Sequence, residues 1–388
     1  VSTDEDFSAA LRRLRANRSV RAVADLAAVS KTHISAMEAR QRLPTPAIAE
    51  ALDRALGADG ELIALAAKHA PTPIGAQADV LHRSISEALT AAGPMTDAGI
   101  RDWEYTVALH GKSTRWRPES ELLPDLLSDI ADLQRILNHR HTPQARRRLT
   151  TCLAQLAGLI ALTLLKTGDP GARDWWRTGR AAANAAEDRA TLSWIYAQQA
   201  YQLYYDGDLR GALELAGHAQ YVVGGLPCVG PALAAPLEAR AHAVLGRHDR
   251  AAAALAAGRT ALDRLDPAQQ IASALGYTDA HWHFHAGDAW TSLADTARAR
   301  DELGRAVQLY PDSDFTDRAL IQLDLAACHV ADRDPEAAAD LARQTVLGLP
   351  AAHRSALIIY RAQQVAGTVP EGTARRALDQ ALMRPGAE

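Results

Sequence analysis

The sequence predicts an all-α protein: a five-helix head followed by an α-solenoid of degenerate helix pairs. Three observations carry this. The apolar residues make up 48% of the chain and are mostly Ala and Leu, which lose little on entering a helix, whereas β-branched and aromatic residues are few. No sustained alternation of apolar and polar residues argues for a sheet. A period also recurs, in which a small or polar turn residue is followed five positions later by Ala: Gly207 to Ala212, Gly246 to Ala251, Ala294 to Ala299, and Asp332 to Ala337. The offsets are 39, 48 and 38 residues, and Gly168 lies 39 residues before Gly207. A chain of 388 residues is too long for one ordinary core, so a head plus a repeat array is the expected organisation.

The head comes first. Residues 7–16 read as a helix with Leu11 and Leu14 inward. Val20, Val23, Ala24 and Ala27 fall at helix spacing and define the second helix. Ser30 then reads as an N-cap, its hydroxyl placed to accept from the open backbone N–H groups of a third helix. In that third helix Ile34 and Met37 point inward, leaving Lys31, Thr32, His33 and Ser35 on the other side. Short polar donors and a cation on one helix face suit the major groove, where base edges present acceptors and phosphates line the rim. Leu43-Pro44-Thr45-Pro46 breaks the chain, with Pro46 at a first-turn position where its missing N–H costs nothing. A fourth helix, Pro46–Leu56, stops at Gly57, and a fifth covers Glu61–His69. The spacing predicts a helix-turn-helix.

Charge agrees. The net charge is −4 (42 basic against 46 acidic residues). Between Arg12 and Arg42, however, Arg12, Arg13, Arg15, Arg18, Arg21, Lys31, Arg40 and Arg42 face only Asp25 and Glu38, a local charge of +6. This is the footprint of a small nucleic-acid-reading head on a neutral or acidic body.

The body follows a linker at residues 70–75. Helices are expected near 78–92 and 97–110, then a polar run at 111–118. An amphipathic helix over 119–138 has Leu122, Leu123, Leu126, Leu127, Ile130, Leu133 and Leu137 on a wide apolar face. Thr142-Pro143 starts a helix through the basic stretch 140–148. The expected domains are 1–70 (helix-turn-helix), 71–118 (linker and connecting helices) and 119–388 (helical repeats with a concave inner surface).

These residues carry a resemblance. Ala24, Val29-Ser30, Ile34, Met37, Glu38, Arg42 and Pro44 resemble the Xre-type (lambda-repressor-like) helix-turn-helix family. That resemblance implies a structural Glu38, groove-facing Ser30, Lys31, Thr32 and Ser35, and backbone contacts from basic residues after the third helix. The family has Gly where Ala28 and Arg40 stand here. The paired helices resemble degenerate tetratricopeptide repeats. The order of LLPDLLSDIADL, GYTDAHWHFHAGDAWTSLAD, HRSALIIYRAQ and a VPEG turn is similar to a large group of actinobacterial regulators. The layout is also similar to peptide-sensing regulators of Gram-positive bacteria.

Catalysis finds no support: no G-x-S-x-G, Walker A, H-E-x-x-H or paired C-x-x-C occurs, so no catalytic residue, metal or cofactor is expected. His281 and His285 share a helix face and could take a metal only with a third ligand such as Asp279 or Asp288. The stretch could instead line a ligand groove, or simply pack between repeats. Trp194, Tyr201 and Tyr205 form a second aromatic concentration, in which packing between repeats is weighed against ligand contact. The candidate groove is therefore Trp194, Tyr201, Tyr205, Asp279, His281, Trp282 and His285. Cys152, Cys228 and Cys328 lie far apart and fit a reduced compartment. The most apolar stretch, 153–165, is read as too short to span a bilayer, and no N-terminal signal is read. The expected protein is a cytoplasmic regulator that binds double-stranded DNA through Ser30, Lys31, Thr32, His33, Ser35, Arg40 and Arg42. It is expected to be a homodimer, with a peptide, protein or small ligand in the groove. A repeat scaffold with a vestigial head is the alternative.

Overall fold

Asp6 starts the first helix, α1 (Phe7–Arg15), by accepting the Ala9 N–H at 2.8 Å. In this computed structural model, which describes residues 6–27, 29, 31–38, 46–69 and 95–383, Ser19 does the same for α2 (Val20–Ala27), accepting from Ala22 N–H at 3.1 Å. Then come α3 (Lys31–Glu38), α4 (Pro46–Leu56) and α5 (Glu61–His69). Phe7, Leu11, Val23, Ile34, Met37, Leu52 and Leu62 form their shared core. Gly57, with φ +64°, ends α4 where the sequence places the stop. Asp53 joins the two last helices: its carboxylate oxygens accept from Gly60 N–H and Leu62 N–H, each at 2.9 Å. The expected Ser30 cap, the positions Ala28, Arg40 and Arg42, the 70–75 linker and the 78–92 helix lie outside the described residues.

The chain divides into two compact units, Val1–Ala91 and Ala92–Glu388. The second opens with α6 (Asp97–Ser113) and α7 (Glu119–Leu137). Thr142 caps α8 (Pro143–Thr167), accepting from Ala145 N–H at 3.2 Å. At 25 residues α8 extends well past the apolar run 153–165, and it is long and apolar enough to cross a membrane. The sequence reading of that run as too short is therefore corrected. Packing is what distinguishes α8: 61% of its most apolar stretch is buried inside the unit.

From α8 onward the helices pair: α8 with α9 (Ala172–Ala185), α10 (Arg189–Tyr205) with α11 (Leu209–Val222), and α12 (Val229–Val244) with α13 (His248–Asp263). Then α14 (Asp279–Ser292) packs on α15 (Thr296–Leu309), α16 (Phe315–Ala331) on α17 (Pro335–Gly348), and α18 (Ala356–Thr368) on α19 (Thr373–Leu382). No strand occurs among the described residues.

The turns explain the period. Gly168, Gly207, Gly246 and Ala294 all have positive φ, which reverses the chain between partners. In the α16–α17 turn the positive-φ residue is Arg333 (φ +66°), not Asp332, which still closes α16. The sequence register there is thus one residue early. With that correction the small residue five positions on is Ala212, Ala251, Ala299 or Ala338, and each is fully buried. A methyl at this point lets the second helix lie close against the first.

The first helices of successive pairs (α8, α10, α12, α14, α16, α18) stack on one another, and α18 returns to touch α8. They form an α-solenoid wound around an interior. Close approach is needed at Gly158 on α8, where a Cβ would stand 2.3 Å from the Trp194 ring. The Trp194 indole N–H donates to Ala274 O at 2.8 Å, which fixes that ring in place.

Candidate nucleic-acid interface and interior cavity

In the head, burial sorts α3 into two faces. Ile34 and Met37 are buried, while Lys31 and Ser35, one turn apart, are exposed on a common outer face. Neither Lys31 nor Ser35 has a side-chain partner among the described residues. Thr32 and His33 lie within α3. The far end of the helix is anchored from below. Arg15 grips Glu38 with two nitrogens, at 2.6 and 3.3 Å, and Ser8 Oγ donates to Met37 O at 2.7 Å. This gives Glu38 a structural role with an identified partner, Arg15, which sequence reasoning counted only as charge.

The local positive charge is thereby divided. Arg15 holds Glu38 and Arg13 lies 2.5 Å from Glu61. Arg21, at the start of α2, is exposed like Lys31 and has no ion pair among the described residues. Arg21 and Lys31, exposed at the starts of α2 and α3 and without an ion pair among the described residues, are able to meet phosphate.

In the solenoid, residues from α8, α10, α12, α14, α16 and α18, with Thr114, Arg115, Ser273, Ala274 and Gly276, line a half-open cavity of about 110 Å³. Tyr201, Tyr205, His281 and His285 line it, as four of the seven groove candidates. Asp279 and His281 line a neighbouring cavity of about 260 Å³, which shares Arg115 as a wall. Asp279 is also 2.5 Å from Arg259. Trp194 is buried against Gly158 and Ala274 and lines neither cavity. Trp282 packs between repeats, its indole N–H 3.3 Å from Leu255 O.

Charged residues that sequence reasoning missed organise this interior. Arg115 lies 2.7 Å from Asp317, 2.9 Å from Asp314 and 2.7 Å from His281 Nε2. Arginine can only donate, so His281 Nε2 accepts. At the other edge of the ring, Nδ1 faces the Thr278 backbone N–H at 3.0 Å and the Thr278 hydroxyl at 2.7 Å, a capping box at the start of α14. Burial, and then the Arg115 charge, push the His281 pKa down to about 3. Burial raises both carboxyls of this group. At Asp317 the charge of Arg115 outweighs it and holds the group at about 2, whereas Asp314 stays up at about 6. Burial and the Arg240 charge also hold His285 well below the usual histidine range. The Tyr277 hydroxyl is 2.9 Å from its Nδ1.

Behind the cavity, Arg240 makes a bidentate pair with Asp288 at 2.7 and 2.9 Å, both side chains almost wholly buried. The Tyr204 ring centroid is 4.7 Å from the guanidinium, a cation–π contact. Two repeats on, Arg361 contacts Asp324 Oδ1 at 2.6 and 2.9 Å. A signal for these pairs did exist. Arg240 in PLEARAHAV, two residues from Glu238, and Asp324 in QLDLAAC are charges set among apolar residues. His281 and His285 are each occupied by hydrogen-bond partners, and no group of three metal-ligating side chains occurs among the described residues.

An all-helical head with an exposed, cationic second helix of a helix–turn–helix pair, followed by an α-solenoid, defines a DNA-binding regulator. The comparisons agree for the head: residues 6–66 match a family described as a helix-turn-helix domain. No curated protein and no solved structure matches the chain.

Proposed function

We propose that the protein is a cytoplasmic transcriptional regulator of the Xre type, similar to the actinobacterial group. Its head binds operator DNA, and its tetratricopeptide-like solenoid binds an effector. The observation that carries this is the outer face of α3, where Lys31 and Ser35 are exposed beside the family match over residues 6–66. Lys31, Thr32 and Ser35 contact base edges, Ser30 and His33 flank them, and Arg40 and Arg42 bind phosphate. Arg21 is a further phosphate ligand. One head covers too little DNA for strong specific binding, so two chains act as a homodimer on a two-part site. The effector is a peptide, protein or small ligand that favours one spacing of the two heads over another, as coupling requires unequal binding to two states.

Selection of bound duplexes from a random-sequence pool tests the reading. An enriched two-part sequence supports it. Failure to enrich any sequence, with no binding at low salt, overturns it.

A further inference from the structure

The cavity inside the solenoid has two kinds of wall. One is apolar, formed by Leu162, Leu165, Leu233, Phe284, Leu320 and Leu357. The other carries Arg115, Lys166 and Asp317, but these charges are already matched within the protein. Arg115 sits between Asp314 and Asp317, and Lys166 is 3.2 Å from Glu119. The excess carboxylate, Asp314, does not line the cavity. It caps α16, accepting from Asp317 N–H at 3.2 Å, where the open helix end stabilises negative charge. Both histidines in the wall are neutral, for the reasons given above.

Among the neutral groups of the wall, three keep hydrogen-bonding capacity. Gln198 uses its amide N–H on Ala274 O at 3.5 Å and leaves its carbonyl oxygen open. Ser273 Oγ accepts from Leu275 N–H at 3.1 Å and keeps its own proton available. The Thr316 hydroxyl has no partner among the described residues. All three residues line the cavity and are more than nine-tenths buried. An ionised guest entering here would lose its hydration with no counter-charge waiting for it. A neutral guest would meet an acceptor, two hydroxyls and an apolar wall. At about 110 Å³ the space is smaller than the ~150 Å³ apolar cavity that holds benzene, which limits the guest group to about six heavy atoms.

We propose that this cavity binds a neutral molecule, or the neutral end of one, joining a branched-aliphatic or small-ring group to an amide or hydroxyl. Gln198, Thr316 and Ser273 read the polar end, and Leu320 and its neighbours hold the apolar one. This rests on the reading of the solenoid as the effector domain and names the chemistry of its ligand.

Three near-isosteric probes test it on the full chain at pH 7: isobutyramide, isobutyrate and isobutylammonium, titrated by ligand-detected NMR. The amide binds saturably in the millimolar range, as so small a ligand must, and at least tenfold more tightly than either ion. Thr316→Val and Gln198→Leu keep volume and each weaken the amide severalfold, with circular dichroism and melting temperature near those of the parent. Leu320→Phe fills the space and abolishes binding. Equal binding of all three probes, preference for an ion, or no saturable amide binding to the folded chain overturns the proposal. DNA affinity is read in the same samples. An amide that binds without changing it keeps the cavity assignment and removes the effector role.

Discussion

The outer face of α3 and the interior of the solenoid treat charge in opposite ways. On α3, Lys31 stands exposed without a partner among the described residues, and Arg21 does the same at the start of α2. In the solenoid, Arg115, Lys166, Arg240 and Arg361 are each held by a carboxylate, Arg115 by two, and Arg115 and Arg240 also lie over aromatic rings. An unmatched charge in water is cheap and ready for an external phosphate. A buried one must be matched inside the fold or the fold suffers. The contrast separates a face whose charge stays in water from an interior whose charges are paired with one another.

The largest effect should come from breaking the buried match. Asp288→Ala leaves Arg240 buried and unpaired, and removing one partner of such a pair costs about 3–5 kcal/mol. Denaturant unfolding should register this loss. Replacing both partners, Arg240→Met with Asp288→Leu, should recover most of it. A single-mutant cost no greater than that of a surface pair would erase the contrast.

Packing gives the next effect. In Gly158→Ala the added methyl meets the Trp194 ring, and overpacking of this kind costs about 1–3 kcal/mol. A lowered solenoid melting temperature with unchanged DNA affinity is the expected outcome.

In the head, Arg15→Ala removes the half-exposed grip on Glu38, for about 1 kcal/mol. Hydrogen exchange should quicken in α1 and α3 while the solenoid helices keep their protection.

The remaining effect is in pH dependence. Burial, only partly opposed by Arg361, raises the Asp324 carboxyl to about 7 from an ordinary 3.8. Between those values the folded chain binds a proton that the unfolded chain lacks. The contribution of this group to stability therefore falls as pH rises from about 4 to 7. Asp324→Asn should remove that slope, seen as the difference between parent and variant unfolding curves across the interval. An unchanged slope would mean that Asp324 is fully ionised in its pair.

Much of the fold was legible because helices announce themselves locally. The apolar faces of α1 to α5, the stop at Gly57 and the Ala five residues after each turn are all short-range patterns. The one slip in register, Asp332 for Arg333, arose because two polar residues adjoin and sequence alone does not say which takes positive φ. The length of α8 was missed because its basic first turns masked its continuity with the apolar run. The interior cavity was only half legible. Tyr201, Tyr205, His281 and His285 stood out as aromatic clusters, but Arg115 lies 166 residues from His281 and 202 from Asp317. Only the return of the solenoid on itself brings such partners together.

The central claim is that the free charge on the head exists to meet DNA. The most direct measurement is the salt dependence of binding to a selected duplex, for the parent chain and for Lys31→Ala with Arg42→Ala. The account predicts weaker binding by the double variant and a log–log salt slope shallower by roughly 0.9 for each phosphate that the variant no longer neutralises. Unchanged affinity and an unchanged slope would contradict it.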